Sequence, residues 1–166
     1  IRQPRNLKQI LVRSKLPSLT PQPDGLQPCR NSRCLTCRLV DTDSIITRDE
    51  VSHQVRGTYT CRSSGLVYII RCRRGCPNAW YIGETKQTLR ERLNGHRATV
   101  RQASTLPVSD HFNRPGHSDA DIRLNVLQGG LQLTQQRRIA ELKFIQKFKT
   151  HHDGLNRDLG FLTRYH

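Results

Sequence analysis

Cysteine and histidine carry the most specific spacing in this chain. Cys72 and Cys76 stand as C-x3-C, and His111 and His117 as H-x5-H. Two thiolates and two imidazoles make a tetrahedral set for zinc, and each pair is close enough in sequence to share one ion. The long gap between the pairs means that such an ion would staple residues 72–76 to residues 111–117. Cys29, Cys34 and Cys37 follow a C-x4-C-x2-C pattern, which needs a fourth ligand to close a structural site. Cys61 is favoured for that place and His53 is the alternative; with Cys61, two ions use six Cys and two His. No secretory signal is visible, so zinc-bound thiols are expected rather than disulfides.

A second group of residues suits phosphate chemistry. Arg92 and His96 lie four apart, which puts them on a common face of a helix. Glu141 is the only acid in residues 137–149, a stretch that also carries Arg137, Arg138, Lys143, Lys147 and Lys149. Residues 86–101 are similarly biased, with Lys86, Arg90, Arg92, Arg97 and Arg101 against Glu91 alone. Across the chain, 28 Lys and Arg against 13 Asp and Glu leave a net charge of +15. That balance points to a polyanion, whether DNA, RNA or an anionic membrane surface; nucleic acid is favoured, and its binding is expected to depend strongly on salt. Four Tyr, four Phe and one Trp are too few for a protein that stacks successive bases. No run approaches the ~20 apolar residues of a membrane helix, so no membrane partner is expected.

The elements that must position these groups follow from periodicity. "LVYIIRC" from Leu66 reads as a buried strand and "AWYIGET" from Ala79 as its hairpin partner, with Gly75 and Pro77 in the turn. "KQTLRERLNGHRATVR" predicts an amphipathic helix with Leu89, Leu93 and Val100 on one face. A polar loop containing "DHFNRPGHSDAD" leads to a third strand, "IRLNVL". A second helix, "LTQQRRIAELKFIQKFKT", has Thr134 as its expected N-cap and Ile139, Leu142, Ile145 and Phe148 as its apolar stripe. The order β-β-α-β-α is an α+β arrangement with a small antiparallel sheet flanked by helices. Before it, residues 1–28 read as a basic arm or linker and residues 29–62 as a zinc-knuckle module, leaving residues 63–166 as the core. Residue 1 is Ile and Met is absent, so the chain is expected to be cut from a longer protein.

"VYII" and "YIG", with twelve residues between Tyr68 and Tyr81, then Arg92 with His96, Glu141 and Asn156 in that order, resemble the GIY-YIG endonuclease superfamily. Leu66-Val67-Tyr68 stands where Gly-Ile-Tyr would. The cysteines inside the hairpin, "HFNRPGHS", "LVRSKL", "TLRERLNGHR" and "GLN" resemble the endonuclease domain of Penelope-like retroelements.

The resemblance implies hydrolysis of a DNA phosphodiester with one Mg2+ or Mn2+ held by Glu141, a carboxylate suited to a hard, water-retaining ion. Arg92 would clamp phosphate with its planar fork. The general base is open among Tyr81, His96 and Tyr68, with Tyr81 ranked first, and Asn156 would orient a phosphate or the helix bearing Glu141. Gly83 would let DNA approach the backbone, and Lys86, Arg90, Arg97, Arg101, Arg137 and Arg138 would contact it. The retroelement resemblance further implies a nuclear enzyme that nicks target DNA to prime reverse transcription. A reverse transcriptase would lie upstream in the same protein, and element RNA is a conceivable further partner. The alternatives are a structure-specific repair or recombination nuclease and a non-catalytic, zinc-stapled DNA-binding module.

Overall fold

The computed structural model describes residues 23–157, so most of the expected basic arm, residues 1–22, lies outside the described residues. The chain is a mixed α+β protein built on a three-stranded antiparallel sheet. Strand β5 (Leu66–Cys72) is central, with β6 (Trp80–Thr85) on one side and β7 (Ile122–Gln128) on the other. The predicted hairpin forms with Ile69 opposite Ile82 and Tyr68 opposite Gly83. Leu66 to Ile70 are all fully buried because helices cover both faces, which explains why the strand reads as an unbroken apolar run.

On one face Tyr68 and Ile70 pack with Leu89 and Leu93 of α1 (Leu89–Arg101) and with Val108 and Phe112 of α2 (Pro107–Phe112). On the other, Val67, Ile69 and Ile82 pack with Ala140, Phe144 and Ile145 of α3 (Thr134–Lys147). Helix α1 begins three residues later than expected. Thr88 caps it by accepting from the Glu91 amide, while Glu91 returns a bond to the Thr88 amide.

Three further expectations are corrected. The loop after α1 contains a helix: Pro107 starts α2 and the i, i+4 pair Val108 and Phe112 anchors it, which sets His111 inside. Leu133, not Thr134, is the residue that precedes the first turn of α3. The buried stripe of α3 is Arg137, Ala140, Phe144 and Ile145, leaving Ile139 44% exposed. The helix is rotated from the apolar reading because Arg137 has an acid to meet inside.

Residues 23–62 are not a separate unit. Strand β1 (Gly25–Gln27) pairs in parallel with β4 (Thr58–Thr60), and β2 (Ile45–Arg48) forms a hairpin with β3 (Val51–Gln54). Backbone bonds from the Leu124 amide to Leu39 and from the Asp41 amide to Leu124, both 2.8 Å, join this segment to the β7 edge. Leu26 and Leu39 enter one apolar cluster, while Ile46 and Val55 enter the other. The segment therefore shares the core that it was expected to precede.

Candidate active site and metal centres

Strand β6 is an edge strand, and its outward backbone groups need partners. The chain beyond α3 supplies them. The Leu155 amide donates to the Trp80 carbonyl at 2.9 Å. The Asn156 side chain accepts from the Ile82 amide at 2.9 Å and donates to the Ile82 carbonyl at 2.8 Å, as a strand would. The Glu84 amide donates to Glu141 Oε1 at 3.1 Å. Glu141 and Asn156, expected from sequence as site residues, thus meet along one edge.

The face covered by α1 brings the other groups to the same strand. Tyr68 is fully buried. Its phenol oxygen accepts from Arg92 Nε at 2.7 Å and lies 2.8 Å from His96 Nε2. Arginine has only donors to offer, so the phenol donates its own proton to His96 Nε2. That requires a neutral imidazole. Burial, aided by the Arg92 charge, pushes His96 down to about 3, so it is neutral at physiological pH. The Tyr81 ring packs 5.5 Å from His96 and 6.4 Å from Tyr68, centroid to centroid. Burial raises both phenols above the ordinary tyrosine range, while Arg92 pulls against it. Tyr81 retains more exposure than Tyr68.

Glu141 is coupled to this set by charge. Its carboxyl is pushed up to about 7 by burial and then by the neighbouring Glu84, with Arg92 and Arg138 opposing. Glu141 therefore holds its proton more tightly than an ordinary carboxyl does. Glu84 escaped the sequence reading. It pairs with Arg137 Nε at 2.6 Å, and Arg137 is 2% exposed, with further bonds to the Leu131 and Gln132 carbonyls. The signal was present: Glu84 alternates with Gly83 on an edge strand and so points to the α3 side.

No protein-family model matches the chain, and no curated protein or solved structure does either. The assignment of these groups therefore rests on their geometry.

That geometry revises several expected contacts. A Cβ on Gly83 would lie 2.5 Å from Tyr68 Oη and 2.9 Å from Tyr81 Cε1, so this glycine makes room for two phenols rather than for DNA. Arg137 is buried in its ion pair and leaves the set of phosphate contacts. Arg97 and Arg101 both bind Asp119 Oδ2, at 2.9 and 3.1 Å, so one carboxylate offsets two cations. Arg90 turns towards cysteines. Lys86 and Arg138 are exposed, and the charge of Arg138 reaches Glu141.

Two ligand sets assemble as the spacing predicts. Cys29, Cys34, Cys37 and Cys61 form one, and Cys72, Cys76, His111 and His117 the other, each with its ligand atoms within 4.8 Å of one another. Both could hold a structural metal such as zinc. A tetrahedron with Zn–S of ~2.3 Å has an S–S edge of ~3.8 Å. The observed Cys34–Cys61 separation is 3.8 Å, Cys29–Cys37 is 3.4 Å, and Cys76 Sγ lies 3.3 Å from His117 Nε2. All six cysteines are free thiols, and these separations far exceed the ~2.05 Å of a disulfide. His111 Nε2 is buried with no hydrogen-bond partner, as a nitrogen reserved for a metal would be. His53 leaves the first set. Its Nε2 lies 2.8 Å from the Leu127 carbonyl and its ring packs edge-on against Phe144.

Proposed function

We propose that this chain is a metal-dependent DNA endonuclease of the GIY-YIG type. The observation that carries the proposal is the clustering of Arg92, Tyr68, Tyr81 and His96 beside β6, with Glu141 bonded to the backbone of that strand. Glu141 would hold a single Mg2+ or Mn2+, which supplies Lewis-acid stabilisation of the phosphoryl and leaving oxygens when bound. Arg92 is held at Nε by Tyr68 and also bonds the Tyr81 phenol, so its guanidinium would meet a phosphate beside the two tyrosines. Tyr81 is the less buried phenol and is the proposed group to orient the attacking water; burial holds its proton, so acting as the base would require Arg92 and a bound metal ion to favour the ionised form. His96 acts through Tyr68, accepting its proton so that the phenol oxygen stays directed at Arg92. Asn156 keeps β6, and with it Tyr81, in place.

The substrate is proposed to be duplex DNA on the basis of the +15 net charge and the small number of aromatic residues. The retroelement resemblance of the sequence extends the proposal to a nuclear enzyme joined to a reverse transcriptase, its nick supplying a 3′-hydroxyl primer.

A second reading has its own support. Glu141 and Asn156 both satisfy backbone groups of β6, a role that a zinc-stapled, non-catalytic DNA-binding module would need as well. Nicking of supercoiled plasmid separates the two. Glu141→Gln keeps an oxygen for the Glu84 amide, so it should fold and bind DNA while nicking falls by about 100-fold or more. Wild-type cleavage by that variant would remove Glu141 as the metal ligand. If the wild-type chain bound DNA and never nicked it with either ion, the binding module would be the correct reading.

A further inference from the structure

The first cysteine set lies against the start of α1, and one side chain joins them. Arg90 Nη2 lies 3.3 Å from Cys61 Sγ, 3.4 Å from Cys34 Sγ and 3.7 Å from Cys29 Sγ. The backbone makes the same connection. The Arg90 amide donates to the Cys61 carbonyl at 2.8 Å, and the Leu89 amide donates to the Ser63 carbonyl at 2.9 Å. These are first-turn amides, which no residue within the helix can satisfy. The loop around Cys61 therefore caps α1, and two residues on from Arg90 the same helix carries Arg92 to Tyr68 Oη at 2.7 Å. Four thiolates around one zinc ion carry a net charge of −2, and N–H donors beside the sulfurs balance that charge and fix the orientation of the cluster. Arg90 places one nitrogen, Nη2, beside three of the cysteine sulfurs. Its guanidinium can point to the cluster or to a phosphate, and the structure turns it to the cluster.

We propose that Arg90 is a positioning residue that locks the N-terminus of α1 to the metal-bound Cys29–Cys34–Cys37–Cys61 cluster, so that metal occupancy of that cluster sets the placement of Arg92. The activity part of this proposal rests on the endonuclease reading above; the mechanical part does not. A lysine at position 90 keeps the charge but ends one bond short of Nη2, the nitrogen that makes all three contacts. A glutamine keeps a donor and removes the charge.

Amide hydrogen exchange on the full chain loaded with zinc tests the mechanical link, with zinc content measured on the same samples. In Arg90→Lys and Arg90→Gln, zinc should stay at the wild-type level. Exchange at Leu89, Arg90 and Arg92 should rise about tenfold or more, a change of ~1.4 kcal/mol in local opening, while exchange at Phe144 and Ile145 stays as in wild type. Removing zinc from the wild-type chain should raise exchange at the same α1 amides. Plasmid nicking by the two variants should lose kcat with little change in KM, as expected when Arg92 is misplaced and DNA contacts are kept. Wild-type protection of α1 in both zinc-loaded variants would overturn the proposal. So would loss of zinc from both, since Arg90 would then be holding the metal rather than the helix. A wild-type chain that never nicks would defeat the endonuclease reading alone, and the exchange result would still decide whether Arg90 links cluster and helix.

Discussion

Glu141 sits beside a like charge and away from water, and its pH response follows from that placement. Its folded value is about 7 against an ordinary value of 4.5. Proton and divalent ion compete for the same oxygens, so nicking should rise with pH through about 7, and more Mg2+ should move the midpoint lower. A rate that stayed flat across that pH would exclude Glu141 as ligand. The stability effect has the opposite sign. The unfolded chain releases this proton first, so without a divalent ion stability should fall as pH rises from 4.5 towards 7. Denaturant melts at a series of pH values, with and without Mg2+, measure both effects. Gly83 makes a second prediction at this scale. Tyr68 Oη, 2.5 Å from where a Cβ would stand, cannot retreat without breaking its bonds to Arg92 and His96. Gly83→Ala should cost roughly 1–3 kcal/mol of stability and lower nicking further than the lost folded fraction explains. Thermal melts beside initial nicking rates would show this. An alanine variant that nicks like wild type would mean that the phenol positions are not critical.

Strand β6 shows how an element is completed by residues far along the chain. Asn156 gives both hydrogen bonds that a neighbouring strand would give at Ile82. Asn156→Ala should leave two buried backbone groups unpaired and cost about 1–3 kcal/mol. Exchange of the Ile82 amide should rise first, and wild-type protection there would show that another group closes the edge. Much of this level was legible beforehand. β5, β6 and β7 have apolar runs near Gly and Pro, and α1 has an apolar stripe, although its capping box at Thr88 was missed and the helix starts three residues later than expected. α2 was hidden because its two anchors, Val108 and Phe112, are set among polar residues and are ordered by contact with β5 and α1. The stripe of α3 was misread because Arg137, expected to contact DNA, is buried instead, and only the position of Glu84 explains it.

At the scale of the whole molecule, the two ligand sets join segments with large sequence separation. Cys61 meets Cys34 across 27 positions, and Cys76 meets His117 across 41. Elemental analysis should find about two zinc ions per chain. Stripping them should loosen residues 29–61 and the turn after β5, because their ordering depends on the ligands they share. A chain with no zinc and an unchanged melting curve would discard both centres. The net charge predicts a steep loss of the proposed DNA affinity with salt, although Arg137 is buried against Glu84 and Arg97 shares Asp119 with the exposed Arg101.

The sequence by itself determined the α+β order, the basic character and the grouping of ligands, because period, composition and short spacings are local properties. The cysteine and histidine sets were readable for that reason, and so was the face shared by Arg92 and His96. Only the tertiary structure decided what each charge does. Arg90, Arg97, Arg101 and Arg137 look alike in a basic stretch, yet one faces thiols, two share Asp119 and one is buried against Glu84. A cation's role is set by the acid, sulfur or solvent that the fold places beside it, and that neighbour comes from elsewhere in the chain.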